Sequence, residues 1–156
     1  MKVEFINPFV SAAFVVLEKV GKTKVAKGKL SLLSSPIEGK EVNTVIGVTG
    51  DILGQVIYSM STETAAKISS VMLLGMPVDN FDEIGKSAIS ELGNIITGNA
   101  ATELGNNGYC CNITPPTLFM GKDVIVSFKD LQILVIPVIT DYGEITINVA
   151  LREADQ

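Results

Sequence analysis

The chain has 156 residues, 47% of them hydrophobic and 19% charged, a balance that fits one globular domain with a sizeable core and argues against intrinsic disorder. A net charge of −5 with a single arginine, Arg152, excludes the cationic surface that nucleic-acid binding requires. There is no histidine, which removes the commonest general base and the commonest metal ligand together. The two adjacent cysteines, Cys110 and Cys111, can build neither a disulfide framework nor a C-x-x-C or zinc motif.

The first element expected is an amphipathic helix over about Pro8–Val20, with Asn7 as cap and Pro8 at the first position. The apolar run Phe5–Leu17 resembles a signal-peptide core, but Glu4 precedes it, Pro8 interrupts it and Glu18-Lys19 follows without a small-residue cleavage site. No run reaches the roughly 18 residues of a membrane span, and the protein is expected to be soluble and cytoplasmic. Five lysines between Lys19 and Lys29 read as a solvated, flexible connector. Strands follow over about Leu30–Ser35, Val42–Thr49 and Gly54–Ser59, the last two joined by the turn signal Gly50-Asp51-Ile-Leu-Gly54. Ser61 caps a helix to about Leu74, closed by Gly75 and Pro77.

Asn80 with Glu83 three residues later has the form of a capping box and opens a long helix to Glu103 or Leu104, ended by Gly105-Asn-Asn-Gly108. Strands are then expected over about Tyr109–Thr114, Asp123–Phe128 with Gln132–Thr140, and Glu144–Leu151. Val124–Val126 and Ile133–Val138 are too apolar for free solvation, so each is either central in a sheet or part of a subunit contact. A helix followed by three strands, then helices followed by three or four, points to a duplication. Overlaying Ser11 on Ser87 sets Val15 opposite Glu91 and Glu18 opposite Asn94. The fold class is therefore α+β, a largely antiparallel sheet with helices on one side and two pseudo-duplicated helix–three-strand halves.

The stretch Ser87-Ala-Ile-Ser-Glu91-Leu-Gly-Asn94 lies inside the long helix. At about 100° per residue, Ser87, Glu91, Asn94 and Gly98 fall within an arc of roughly 60°, with Ile89, Leu92, Ile96 and Ala100 opposite. The Glu91 carboxylate and Asn94 carboxamide, three residues apart, project side by side. A solvated helix face commonly carries such residues for no purpose but solubility; the same pair can grip a charged partner and hold a water. Gly93, Thr97, Gly98 and Ala101 are small, which allows either close approach by another protein or close packing in the core. A metal-dependent hydrolase built on Glu91, Glu103 and Asp82 fails, since Glu103 lies about 120° away around the helix and Asp82 more than two turns off.

The segment Asp79–Gly105 with Asn112-Ile-Thr-Pro-Pro-Thr117 resembles the CheX branch of the CheC/CheX/FliY phosphatases of bacterial chemotaxis. Thr44-Val-Ile-Gly-Val-Thr-Gly50 and Tyr58-Ser-Met-Ser-Thr-Glu-Thr-Ala65 extend the resemblance over nearly the whole chain. The family signature is an Asp or Ser, three residues, Glu, two residues, Asn, and a later proline; Ser87, Glu91, Asn94 and Pro115-Pro116 match it. The resemblance implies one CheC-like domain over residues 1–156, and a phosphatase acting on the aspartyl phosphate of CheY or a homologous receiver. It implies Glu91 and Asn94 as catalytic residues, Ser87 and Gly98 at the partner surface, no cofactor of its own, magnesium held by the receiver, and a homodimer of joined sheets. A single motif copy matches the CheX branch. A receiver-binding or flagellar module of the same fold without turnover is the alternative.

Overall fold

The computed structural model describes residues 2–78, 81–128 and 131–155. Helix α1 (Val3–Lys19) leads into β1 (Val25–Lys27), β2 (Ser31–Ser34), β3 (Ile37–Glu38), β4 (Val42–Gly50) and β5 (Ile52–Met60); α2 (Thr62–Met72) and α3 (Glu83–Asn106) follow. The chain closes with β6 (Cys111–Ile113), β7 (Thr117–Met120), β8 (Ile125–Val126), β9 (Gln132–Thr140) and β10 (Gly143–Glu153).

Eight strands form one antiparallel sheet in the order β1-β9-β10-β5-β4-β6, with β2 beside β1 on β9 and β7 beside β6 on β4; β3 and β8 form a separate ribbon. The α+β expectation is met, and the register exposes the duplication. Val25 pairs with Thr140 and Ser31 with Val135 on one edge, as Cys111 pairs with Gly50 and Thr117 with Val45 on the other. Each half has five strands, where the sequence reading gave three in the first and three or four in the second, with α2 as an extra helix between the halves, and β5 meets β10 at the centre.

One face of the sheet takes the helices. Val42, Ile46 and Val48 of β4 join Ile136 and Val138 of β9 and Ile145, Ile147 and Val149 of β10 in a core with Phe9, Leu17, Ile68, Ile89 and Ile96. The spacing of these residues along each strand is the period of two that puts alternate side chains on one face. The opposite face is partly covered by the ribbon: Ile37 and Phe128 pack with Ile57, Ile133 and Ala150. There Asn43 is fully buried, accepting from the Ser59 hydroxyl at 2.8 Å and donating to the Lys40 carbonyl at 2.8 Å. β9 is therefore an inner strand, which accounts for its apolar run, whereas Ile125 of β8 is exposed.

Several boundaries differ from the sequence reading. α1 starts at Val3, with Lys2 rather than Asn7 as its N-cap and Pro8 inside the helix. Proline there removes one helical hydrogen bond, but the first turn is held from outside: Phe5 is buried edge-on to Tyr109, with ring centroids 5.1 Å apart, and Lys2 bonds Glu153. The lysine connector contains β1, because the edge of β9 supplies ladder partners that side-chain pattern does not reveal; lysines on an edge strand also deter pairing with another chain. Ser61 caps α2 as expected, accepting from the Thr64 N–H at 3.1 Å, but α2 stops at Met72 because Leu74 turns left-handed before Gly75. The cap of α3 is Asp82, whose carboxylate accepts from the Gly85 N–H at 3.1 Å; Asn80 lies outside the described residues. β7 was not foreseen after Pro115-Pro116.

The helix overlay also needs correction. The buried positions Phe5, Pro8, Phe9, Ala12, Ala13, Val16 and Leu17 of α1 recur eighty residues on in α3 as Gly85, Ala88, Ile89, Leu92, Gly93, Ile96 and Thr97. On that register Ser11 stands opposite Glu91 and Phe14 opposite Asn94, one helical turn from the overlay on Ser87. The reason is burial: the sheet takes the same helix face in both halves. α1 still lacks the carboxylate–carboxamide pair.

Candidate functional site

α3 is long enough to present a rigid outer face. Asp82 caps it, Glu83 in the first turn opposes the positive end of the helix dipole, and Lys86 pairs with Glu83 at 3.2 Å. Its buried positions recur every three or four residues, from Gly85 and Ala88 to Ala100 and Leu104. Ser87 and Glu91 are exposed, and Asn94 and Gly98 are half-buried along the same outer arc. The structure therefore brings together all four residues singled out from spacing.

Among the described residues, neither the Glu91 carboxylate nor the Asn94 carboxamide takes part in a hydrogen bond or ion pair within the chain. A carboxylate has room for about four acceptor contacts, and a carboxamide carries two donor protons and one acceptor oxygen. All of that capacity faces outward. A cavity of about 480 Å³ is lined by Lys2, Phe5, Leu131, Gln132, Leu151, Arg152 and Glu153, apart from this pair. Glu91 and Asn94 stand instead on the curved outer side of α3.

The small residues divide by position. A Cβ on Gly93 would lie 3.3 Å from Thr44 Cγ2 and 3.3 Å from Tyr58 Cδ2, so Gly93 is where α3 seats on the sheet. A Cβ on Gly98 would meet nothing within 4 Å, so Gly98 leaves the outer face open. Thr97 faces inward: it is fully buried, with its Oγ1 2.7 Å from the Tyr58 hydroxyl. Tyr58 and Thr97 were not linked by sequence reasoning, although a tyrosine in an apolar strand must find a partner for its O–H. The Pro115-Pro116 pair joins β6 to β7 along β4, and beside it Thr114 donates its N–H to the Gly47 carbonyl and accepts the Gly47 N–H on its Oγ1, at 2.9 and 2.8 Å. Prolines are tolerated there because the outer edge needs no ladder donors.

Asp82 caps the helix rather than joining Glu91 and Glu103, and no group of three or more Asp, Glu, Cys or His that could hold a metal occurs among the described residues. No helix among them is long and apolar enough to cross a membrane.

Residues 42–139 match the family model described as chemotaxis phosphatase CheX. The chain belongs to the CheX family. It is 37% identical over 142 residues to a Thermotoga maritima protein named CheY-P phosphatase CheX, covering 90% of this chain and 92% of that one. It is also similar to the CheX of a Borrelia burgdorferi CheX–CheY–BeF3–Mg complex, with a TM-score of 0.84 and 31% identity over 97% of this chain and all of that one. A CheC-like superfamily protein from Shewanella sp. PV-4 superposes with a TM-score of 0.87 and 28% identity, covering 97% of this chain and 99% of that one.

The open space at Gly98 separates stability from docking. Gly98→Ala is expected to raise stability by about 0.5–1 kcal/mol through helix propensity, read from urea unfolding. Gly98→Leu is expected to keep the fold but weaken capture of a phosphorylated receiver, read by titration.

Proposed function

We propose that this chain accelerates hydrolysis of the aspartyl phosphate on a CheY-like receiver domain, with Asn94 orienting the attacking water and Glu91 anchoring the partner. The observation that carries the reading is the pair itself: Glu91 and Asn94, without a bonding partner among the described residues, side by side on the outer face of a capped helix in a CheX-family protein.

In the reaction a water oxygen forms a bond to phosphorus while the bond from phosphorus to the aspartyl oxygen breaks, releasing inorganic phosphate and the receiver's carboxylate. Catalysis of phosphoryl transfer is mostly positioning and charge stabilisation. A neutral carboxamide can hold a water beside phosphoryl oxygens without repelling them, where a carboxylate would repel. Glu91 is suited to pairing with the lysine of the receiver's phosphorylation site, because an exposed carboxylate on the outer face of the helix can accept several bonds from a cationic partner. Ser87, one turn before Glu91, and Gly98, one turn after Asn94, complete the contact face. A serine with no base beside it is no nucleophile.

The divalent metal of this reaction belongs to the receiver's own acidic pocket. The Borrelia complex, which joins CheX and CheY with BeF3 and magnesium, supports that division. This reading places the protein in the cytoplasm, where its two free cysteines stay reduced.

The subunits are proposed to pair as a homodimer through strand edges, giving one site per subunit. The inner position of β9 removes it as the contact. β2 takes its place, since it pairs with β9 on one side and exposes Leu32 and Leu33. An exposed apolar edge strand is an invitation to pair.

Asn94→Ala is expected to lower kcat to near the receiver's own rate with little change in KM, measured on a panel of phosphorylated receivers from the same genome; near-full activity would end the water-orienting assignment. A wild-type chain that binds a receiver without speeding its dephosphorylation would instead support the non-catalytic module. Glu91→Ala is expected to weaken binding by about 2–5 kcal/mol as well as turnover, and Glu91→Lys by more. Calorimetry against a receiver carrying a phosphate mimic checks both, and unchanged affinity would remove the anchor role. Sedimentation at low micromolar concentration is expected to give twice the 16.6 kDa chain mass, with Leu32→Lys shifting it to monomer.

A further inference from the structure

The peptide unit that carries Asn94 is tied to the sheet through two buried hydroxyls. Thr97 Oγ1 donates to the Gly93 carbonyl at 2.8 Å, and the Tyr58 hydroxyl lies 2.7 Å from the same Oγ1. A threonine hydroxyl has one proton to give. That proton goes to Gly93, so in the second bond Tyr58 is the donor and Thr97 the acceptor. Burial pushes the Tyr58 phenol well above its ordinary range, so it stays protonated and able to donate throughout the neutral range. The bonds run in one direction, from Tyr58 O–H to Thr97 Oγ1 and from Thr97 O–H to the carbonyl of Gly93. That carbonyl belongs to the peptide bond whose nitrogen is Asn94's.

The same turn is fixed by contact. Gly93 seats against Thr44 and Tyr58, which are cross-strand partners on β4 and β5. Thr44, Tyr58 and Thr97 are all at most 2% exposed, so this point of attachment is dry. A threonine bonded back to the carbonyl four residues earlier bears on the local course of its helix, and here that same hydroxyl is also bonded to a residue of the sheet.

We propose that Tyr58 and Thr97 are positioning residues for Asn94, and that their relay sets the height and rotation of the helix turn from which the carboxamide projects. The inference rests on the reading of Asn94 as the group that orients water. Misplacing a reacting group by about 1 Å can cost on the order of a hundred-fold in rate, so a hydroxyl that touches neither partner nor phosphate still governs turnover. Its signature is a loss in kcat without a loss in binding, because Glu91, one turn earlier, lies outside the relay.

The test compares Tyr58→Phe, Thr97→Val and Thr97→Ser by receiver dephosphorylation, with the Asn94 backbone 15N resonance and thermal melting recorded for each. Tyr58→Phe keeps the ring and is expected to lower kcat about ten-fold or more with KM within about two-fold, and to move the Asn94 resonance. Thr97→Val is expected to do the same, and Thr97→Ser to retain both wild-type kcat and the wild-type resonance. Unchanged kcat in Tyr58→Phe overturns the proposal. So does a kcat loss with the Asn94 resonance unmoved, which would mark a general loss of stability. If Asn94→Ala is inactive while Tyr58→Phe is fully active, only the relay falls; if Asn94→Ala retains activity, the reading of Asn94 falls and the relay with it.

Discussion

Helix α3 seats on the sheet at a residue with no side chain, and the geometry of the site follows from that contact. Gly93 brings the helix backbone down onto Thr44, Tyr58 and Ile46, so that even a methyl group there would sit tightly at 3.3 Å from the first two. Once that face is buried, the helical period leaves Glu91 and Asn94 no choice but to point away from the core. Neither side chain has a bonding partner among the described residues, so both can spend their polar capacity on another molecule. A long helix packed against α1, α2 and the side of the sheet formed by β4, β6 and β7 is also stiff, and stiffness is what a water-orienting group requires.

The two halves of the fold show how one architecture can carry a site in only one of its copies. α1 and α3 bury the same pattern of positions against equivalent strands. Their outer arcs differ: Ser11 and Phe14 stand where α3 has Glu91 and Asn94. Core packing constrains the inward residues of both helices equally, while the outward residues are unconstrained by folding. Chemistry can therefore be present on one outer face and absent from the other without any change in the sheet.

The chemistry matches the composition. Without histidine, the chain has no side chain that titrates near neutrality in its unperturbed form. Hydrolysis of an aspartyl phosphate needs little from the catalyst in the way of proton transfer, since the leaving group is a carboxylate. Positioning a water and holding the partner is enough, and in the proposed mechanism one carboxamide and one carboxylate supply those functions. Each side contributes half of the arrangement in this reading: the receiver supplies phosphate and metal, and α3 supplies the oriented water.

Much of this was legible in the chain because the relevant signals are local. Helical spacing places Ser87, Glu91, Asn94 and Gly98 on one arc, apolar alternation marks β4, β5, β9 and β10, and Ser61 announces the cap of α2. Signals that depend on a partner from elsewhere in the fold were misread. β1 and β7 exist because β9 and β4 offer them ladder hydrogen bonds, which no side-chain pattern records. Pro8 sits inside α1 because Phe5 and Lys2 find Tyr109 and Glu153, from distant parts of the chain, to hold the first turn. Gly93 and Gly98 are the same residue type five positions apart, and only the packed sheet makes one a seat and the other an opening. The sequence by itself determined which residues could share a helix face, since that follows from the backbone period alone. Which face is buried against what, and so how firmly Asn94 is held, was decided by tertiary contacts such as Tyr58 with Thr97, whose partners lie 39 residues apart in the chain.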